Sequence, residues 1–431
     1  MISTINNQLY RKRQMWFSLC FIFSIGLIPN SYGQSNQNSV IKKEEAAKSN
    51  KRERADRYFD ALAFKPAIKL YKQLEEDSND PDVRLKLADC YRLINDYTNA
   101  EFWYEQIVLQ ENIDPLNKFY YAQALMANEK YDRARIWFEE YARARPDDPR
   151  GRNLADACTR VPEIIANSYP CELTNADFNT ARSEFGPSFY GGDGVLFTSD
   201  RDTILGIKRT NEWYNTPFLN LYVEKGNGKV KKLKGNLNAR YHEGPAVVTR
   251  DGSTMYFTRS NYTSGGLSAN QSESQEGLVK LKIFKAISSG NDKWSYSAET
   301  ALPFNSDEYS VGHPSLSEDG QTLYFISDMP GGYGGTDIYM ASLKADGLSW
   351  SDAKNLGPVI NTPGNELFPF IHPDETFFFA SDGLPGLGGL DIFETRRAEN
   401  GSWVLPSNMG SPINSSRDDF GLIFNDNLNS G

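Results

Sequence analysis

A chain of 431 residues exceeds what one ordinary core can organise, and 39% hydrophobic with 13% aromatic residues supplies apolar surface for two or three domains. The formal charge of −10 is unevenly placed: residues 1–40 carry +3, residues 41–160 carry −1 (22 basic, 23 acidic) and residues 161–431 carry −12 (21 basic, 33 acidic). An acidic second half is a poor partner for nucleic acid and for anionic lipid.

Residues 1–33 read as an export signal. Arg11, Lys12 and Arg13 form a basic start, Met15 to Ile28 is an apolar run ended by Pro29, and Ser31 and Gly33 stand at the −3 and −1 positions of a cut before Gln34. The run falls short of the roughly 20 residues that span a bilayer. Cys20 lies inside it and no cysteine closely follows the cut, which argues against a lipoprotein start. Of the remaining cysteines, Cys90, Cys158 and Cys171, the pair Cys158 and Cys171 is the disulfide that an oxidising compartment would allow. A polar, charge-mixed linker fills 34–53.

A helical array is expected over 54–167. Asp80-Pro81, Asp114-Pro115 and Asp148-Pro149 recur every 34 residues. Ala67, Ala100 and Ala134 recur at nearly the same interval, each followed four residues later by Tyr71, Tyr104 or Phe138. Small residues let two helices approach, the aromatic fills the space one turn on, and Asp-Pro separates successive hairpins. This pattern resembles tetratricopeptide repeats, with Ala88 and Ala122 where glycine is usual and a capping helix over 150–167. Trp103, Tyr104, Tyr120, Tyr121, Trp137 and Phe138 are expected in the packing between helices, with a concave partner groove as the sharper alternative.

An all-β array is expected over 168–431, as four cassettes plus the start of a fifth. Each cassette opens on a proline-containing strand: FGPSF (185–189), EGPAV (243–247), GHPSL (312–316) and LFPFI (367–371). A turn follows at Asp193-Gly194, Asp251-Gly252, Asp319-Gly320 or Asp374-Glu375, then VLFTSD, MYFTRS, LYFISD or FFFASD, then a loop and NLYVE, KIFKA, DIYMA or DIFET. Asp-Gly between apolar runs is a strong hairpin signal, because glycine accepts the positive φ a tight turn requires. Three cassettes end on Trp294, Trp350 or Trp403 and an LPFNS, LGPVINT or MGSPINS segment. Repeated small sheets make a propeller; a two-sheet sandwich would not need the same cassette four times.

The stretch Pro314 to Asp328, PSLSEDGQTLYFISD, resembles the TolB-like propeller repeat. Signal, tetratricopeptide repeats and TolB-like blades with GGYGGTDIY and PINT or PINS segments, in that order, resemble envelope proteins of the OmpA family in Bacteroidetes. The fold class is then an α+β multidomain chain, a helical solenoid followed by an all-β propeller. In that family a peptidoglycan-binding OmpA domain usually follows, and relatives act at the outer membrane in type IX secretion and gliding motility. Here DDFGLIFNDNLNSG matches the opening of a fifth cassette, Phe420 aligned to Phe368, and the OmpA part is missing, so a fragment of a longer protein is expected. The resemblance implies a periplasmic, outer-membrane-associated protein whose partners are envelope proteins, with peptidoglycan reached only through the missing domain.

No catalytic, cofactor-binding or metal-ligating residue is assigned, and no cofactor is expected. His242, His313 and His372 share no ligand spacing, and neither HExxH nor G-x-S-x-G occurs. Ser317-Glu318-Asp319-Gly320 has its glycine one place too early for an Asp-box, and no carboxylate pair stands out for glycoside cleavage. Asp328, Asp337, Asp382 and Asp391, beside glycine turns, are the candidates for a cation, with turn capping as the plainer role. SDMPGGYGGTDIY (327–339) recurs 54 residues later as SDGLPGLGGLDIF (381–393) and leads each time into a strand, so its glycines are expected to give backbone freedom and not to cradle phosphate. The expected function is a non-enzymatic envelope scaffold. The alternatives are a hydrolase or glycan-binding propeller protein, and a ligand-sensing propeller.

Overall fold

The computed structural model describes residues 48–431 apart from 111, 168, 202–209, 212–215, 239–241, 261–273, 275–278, 297–301 and 429. Residues 1–33, expected to be an export signal, and residues 34–47 of the expected linker lie outside the described residues. Helices followed by a four-bladed propeller make the chain an α+β multidomain protein, and two compact units divide between Ile107 and Val108.

Among its described residues the first unit holds four helices: α1 (48–60), α2 (Phe64–Ser78), α3 (Pro81–Leu93) and α4 (Tyr97–Glu105). Asp80 caps α3, its side chain accepting from the Asp82 N–H at 2.9 Å while Pro81 occupies the first turn, where no donor is needed. Ala67, Tyr71, Ala88, Ala100 and Tyr104 are fully buried between these helices, as the 34-residue pattern predicts. Their polar ends are satisfied too: Tyr71 donates to Asp56 at 2.6 Å and Tyr104 to Asp89 at 2.7 Å.

The second unit begins with α5 (Pro115–Ala127), α6 (Tyr131–Ala144) and α7 (Arg150–Ala166). Asp114 caps α5 as Asp80 caps α3, accepting from Leu116 N–H at 2.9 Å. Ala122, Ala134, Tyr121 and Phe138 are buried, while Trp137 is half-buried at the surface of α6. The expected disulfide does not form: Cys158 is packed inside α7's apolar face, Cys171 stands exposed beyond the helix, and both are free.

Four sheets follow. The first contains β1 (Glu184–Phe189), β2 (Val195–Ser199), β5 (Asn220–Glu224) and β6 (Val230–Lys232) in the order β1-β2-β5-β6, with a short pair β3 (Thr210–Asn211) and β4 (Thr216–Pro217) between β2 and β5. The second orders β7 (Lys234–Gly235), β11 (Lys293–Tyr296), β10 (Leu281–Ser288), β9 (Thr254–Ser260) and β8 (Glu243–Val248) side by side. The third is the meander β12 (Val311–Leu316), β13 (Thr322–Ser327), β14 (Asp337–Ser342) and β15 (Lys354–Asn355). The fourth repeats it with β16 (Glu366–Ile371), β17 (Phe377–Ser381), β18 (Asp391–Thr395) and β19 (Ser407–Asn408). Apolar residues on facing blades interlock, so that Tyr256 and Ile283 of the second blade pack with Phe325 and Tyr339 of the third.

The first strands β1, β8, β12 and β16 adjoin one another in that order and surround the axis. Each pairs antiparallel with the second strand of its blade and slips register midway, between Phe185 and Ser188, Glu243 and Ala246, Gly312 and Ser315, and Leu367 and Phe370. The slip bends the strand and re-aims its residues. Gly186 (φ 60°), His313 (φ 48°) and Phe368 (φ 50°) adopt left-handed backbone there, and Pro245 stands at the corresponding place in β8.

The segment from Asp419 lies between the fourth blade and the first. Phe424 packs on Phe378 of β17 and Phe420 reaches Phe185 of β1, with ring centroids 5.3 and 6.3 Å apart. The alignment of Phe420 with Phe368 is one place out. Asp419 accepts from Ser415 as Glu366 accepts from Thr362, and Gly421 (φ 78°) takes the left-handed place of Phe368. A second correction concerns the first hairpin, whose left-handed turn residues are Gly191 and Gly192 and not Asp193-Gly194.

Candidate functional site

Much of what looked chemical in the sequence holds the blades together. The asparagine of each LNAR, FNS, INT or INS segment clasps the third strand of the preceding blade. Asn361 accepts from Ile338 N–H at 2.8 Å and returns a bond to Ile338 O at 3.0 Å. Asn414 does the same to Ile392 (2.7 and 2.8 Å), Asn305 to Ile283 (3.0 and 2.7 Å) and Asn238 to Leu221 (2.6 and 3.3 Å). A side-chain amide matches a backbone donor and acceptor at once, which replaces a missing ladder partner.

The four aspartates considered for a cation are also occupied. Asp337 accepts from the N–H groups of Tyr333 (2.7 Å) and Gly334 (3.2 Å) and from the Asn355 amide (2.7 Å). Asp391 accepts from Leu387 (2.6 Å), Gly388 (3.2 Å) and Asn408 (2.7 Å). Asp328 accepts from Ser310 N–H and Asp382 from Asn365 N–H, each tying the end of a second strand to the start of the first. Among the described residues no group of three His, Cys, Asp or Glu is placed to hold a metal.

Gly331 (φ 93°) gives the backbone freedom the sequence suggested, but the other glycines of the repeated loop have a different physical cause. Gly332, Gly334 and Gly335 do not adopt positive φ; a Cβ on Gly334 would lie 2.1 Å from Thr362 O, and one on Gly388 would lie 2.4 Å from the Ser416 carbonyl carbon. Close approach of the loop to the next blade's connecting segment requires Gly334, Gly335 and Gly388, and the Asp337 carboxylate folded back into the loop requires Gly332. In the second copy Leu387 is buried against Val161 and Ile164 of α7, and Tyr131 of α6 donates to Leu387 O at 3.0 Å. Tyr333, at the same place in the first copy, is half-exposed.

Glu366 and Asp391 are the most perturbed carboxyls. Burial pushes Glu366 up to about 8, against the opposing bonds from Thr362 and Ser381, and burial pushes Asp391 up to about 7. Glu184 and Asp419 hold the same register as Glu366 and accept from Thr180 and Ser415 in the same way. These acids face partners within the blades.

The histidines are separated. His242 accepts from Leu219 N–H at 3.2 Å, and burial holds its ring down to about 4. His372 lies between Asp374 Oδ1 at 2.7 Å and Asn425 O at 2.9 Å, joining the fourth blade to the closing segment. His313 stands at the axis, stacked on Phe368 with centroids 4.0 Å apart. Phe368 in turn stacks on Phe420 at 4.6 Å, and Phe185 meets both rings edge-on. Phe420 is 36% exposed and Phe185 and Phe368 are half-buried, so the group presents aromatic surface where the first strands converge. The places at the strand slips are Gly186, Pro245, His313 and Phe368, with Gly421 at the matching place of the closing segment, and no charged side chain is among them.

A groove of about 440 Å³ lies on the helices of the second unit, lined by Leu109, Ile113, Lys118, Ile136, Trp137 and Glu140. Of the aromatics considered for a partner groove, Trp137 is the one found there.

No family model and no curated protein matches the chain. Solved structures with a similar fold include a thermostable family-43 glycoside hydrolase, at 14% identity and a TM-score of 0.35 over 54% of this chain and 74% of that one. An α-L-arabinofuranosidase from Lactobacillus brevis matches at 12% identity and TM-score 0.33 (52% and 73%). A periplasmic gluconolactonase from Pseudomonas aeruginosa matches at 15% and 0.27 (45% and 51%). The expectation that this protein is not an enzyme finds no support here, since the similar chains are enzymes. At such identities the likeness is one of fold and assigns no reaction.

Proposed function

We propose that the chain is an exported envelope protein that holds a neutral glycan on the axial aromatic surface of its propeller. The observation that carries this reading is the partly exposed group of Phe185, Phe368 and Phe420, stacked beside His313 at the ring's centre. Sugar C–H faces pack on aromatic rings, and a surface without charged side chains at the strand slips suits an uncharged ring. The resemblance of the repeats and blades to OmpA-family envelope proteins supports export and an outer-membrane location. Envelope proteins are the partners proposed for the helical groove at Trp137, in which apolar Leu109 and Ile136 are exposed between Lys118 and Glu140.

Native gel electrophoresis through neutral and acidic polysaccharides tests the reading. Neutral glucan or chitin-derived polymer should retard the wild type, and Phe420→Ala should migrate as in an empty gel. Unchanged mobility of the wild type in every neutral gel would sink the proposal. The same incubations are to be analysed for released sugars, since release would move the reading from glycan binding to glycan hydrolysis.

A further inference from the structure

Resting on that reading, we propose that His313 is the polar anchor of the axial site, its Nε2–H donating to a hydroxyl or ring oxygen of a sugar lying against the exposed edges of Phe368 and Phe420. Three observations on the residue converge. First, its backbone is left-handed (φ 48°) at a place filled by glycine in the first strand, Gly186, and in the closing segment, Gly421. A bulky residue there is strained relative to glycine. Phe368 bears the same strain (φ 50°), and these two residues are the pair that stack at 4.0 Å.

Second, the backbone fixes the ring. His313 N–H donates to Thr258 Oγ1 at 3.0 Å, and Thr258 donates on to Pro245 O at 3.1 Å, binding the third blade to the second. Phe368 N–H donates to His313 Nδ1 at 3.4 Å, binding the third blade to the fourth. Nδ1 is thus an acceptor, and the neutral ring carries its proton on Nε2. Third, Nε2 takes no partner among the described residues and is not sealed from solvent, although the residue as a whole is 5% exposed. One donor is left free beside an aromatic surface. The ligand it fits is an uncharged sugar ring offering an acceptor oxygen at its edge.

The test is calorimetric titration of the full chain with cellohexaose, maltohexaose and chitohexaose. His313→Phe keeps an aromatic ring in the stack, at a backbone conformation phenylalanine already adopts at Phe368, and removes the donor. Its affinity for the oligosaccharide that the wild type binds should fall about fivefold to tenfold, while the melting temperature falls modestly because Phe368 N–H also loses its acceptor. In the wild type the imidazole ¹⁵N spectrum should show the Nε2-protonated tautomer, with Nε2 shifting on titration. Equal affinities of wild type and His313→Phe would overturn the anchor and leave the glycan reading intact. Failure of the wild type to bind any of the three would overturn both. Should His313→Phe not fold, the wild-type ¹⁵N titration decides: an Nε2 resonance unmoved by the bound oligosaccharide overturns the anchor and a shifted one supports it.

Discussion

Glu366 shows how one buried carboxyl sets a pH response. Its pKa in the folded chain, about 8, lies above the ordinary 4.5, because burial disfavours the charge more than Thr362 and Ser381 favour it. A folded state that binds the proton more tightly than the unfolded one is fully favoured below about pH 4.5, and the advantage is lost as pH rises through about 8. Asp391, raised to about 7, acts in the same direction. The melting temperature should therefore fall between pH 5 and pH 8. Glu366→Gln can keep an oxygen on Thr362 N–H and turn its amide to the two hydroxyls, so it should match the wild type at pH 5 and exceed it by on the order of 1–4 kcal/mol at pH 8. Melting curves that stay parallel across this range would refute the assignment. Glu375 offers a second test at this scale. It holds φ 70° at the hairpin place where Gly252 and Gly320 hold 69° and 68°. Left-handed backbone costs a non-glycine residue about 1–2 kcal/mol, and glycine loses roughly 0.5–1 kcal/mol more entropy on folding. Glu375→Gly should thus stabilise the protein by about 0.5–1 kcal/mol in thermal denaturation; a lower melting temperature would count against strain at this turn.

At the scale of elements, the two copies of the glycine loop separate what repeats from what differs. Both are closed by the same aspartate clasp, with bond lengths agreeing to within 0.1 Å between Asp337 and Asp391. Leu387 fills a notch in α7, while Tyr333 projects toward solvent. Leu387→Ala should cost about 2–4 kcal/mol, and Tyr333→Ala less than about 0.5 kcal/mol, read from the melting of the full chain. Comparable losses for the two would show that the loop's own closure, not its seat on α7, carries the energy. This contrast also marks what the sequence can reveal. The strands were legible to within a residue or two, because alternating apolar runs and Asp-Gly turns are local signals. Helical packing was legible because Ala67, Ala100 and Ala134 recur with their aromatics. The loop glycines were visible, but their cause was not: proximity of Gly334 to Thr362 O arises only when one blade meets the next. The asparagine clasps repeat visibly at Asn305, Asn361 and Asn414, yet the strand each one holds lies 22 or 23 residues upstream in the chain. The axial stack was the least legible, because His313, Phe368 and Phe420 are 52 to 55 residues apart and share one strand position only approximately.

For the molecule as a whole, charge decides which ligands can approach the axis. Residues 161–431 carry −12, so a polymer of uronic acids meets repulsion from the surface around the site, whereas a neutral chain does not. Salt screens that repulsion, with a Debye length of about 10 Å at 0.1 M and about 3 Å at 1 M. Contact with the edges of Phe368 and Phe420 and a bond from His313 involve no net charge, so they are nearly indifferent to salt. Affinity for a neutral oligosaccharide should therefore change by less than about twofold between 20 and 500 mM sodium chloride, an interval over which electrostatic attachment changes by orders of magnitude. A polyuronate should bind weakly at 20 mM and improve as salt rises, the reverse of an ion-paired ligand. Calorimetry at the two salt concentrations distinguishes these cases. A neutral-sugar affinity that collapses with salt, or a polyuronate bound best at low salt, would place the ligand on a basic surface elsewhere and not at the axis.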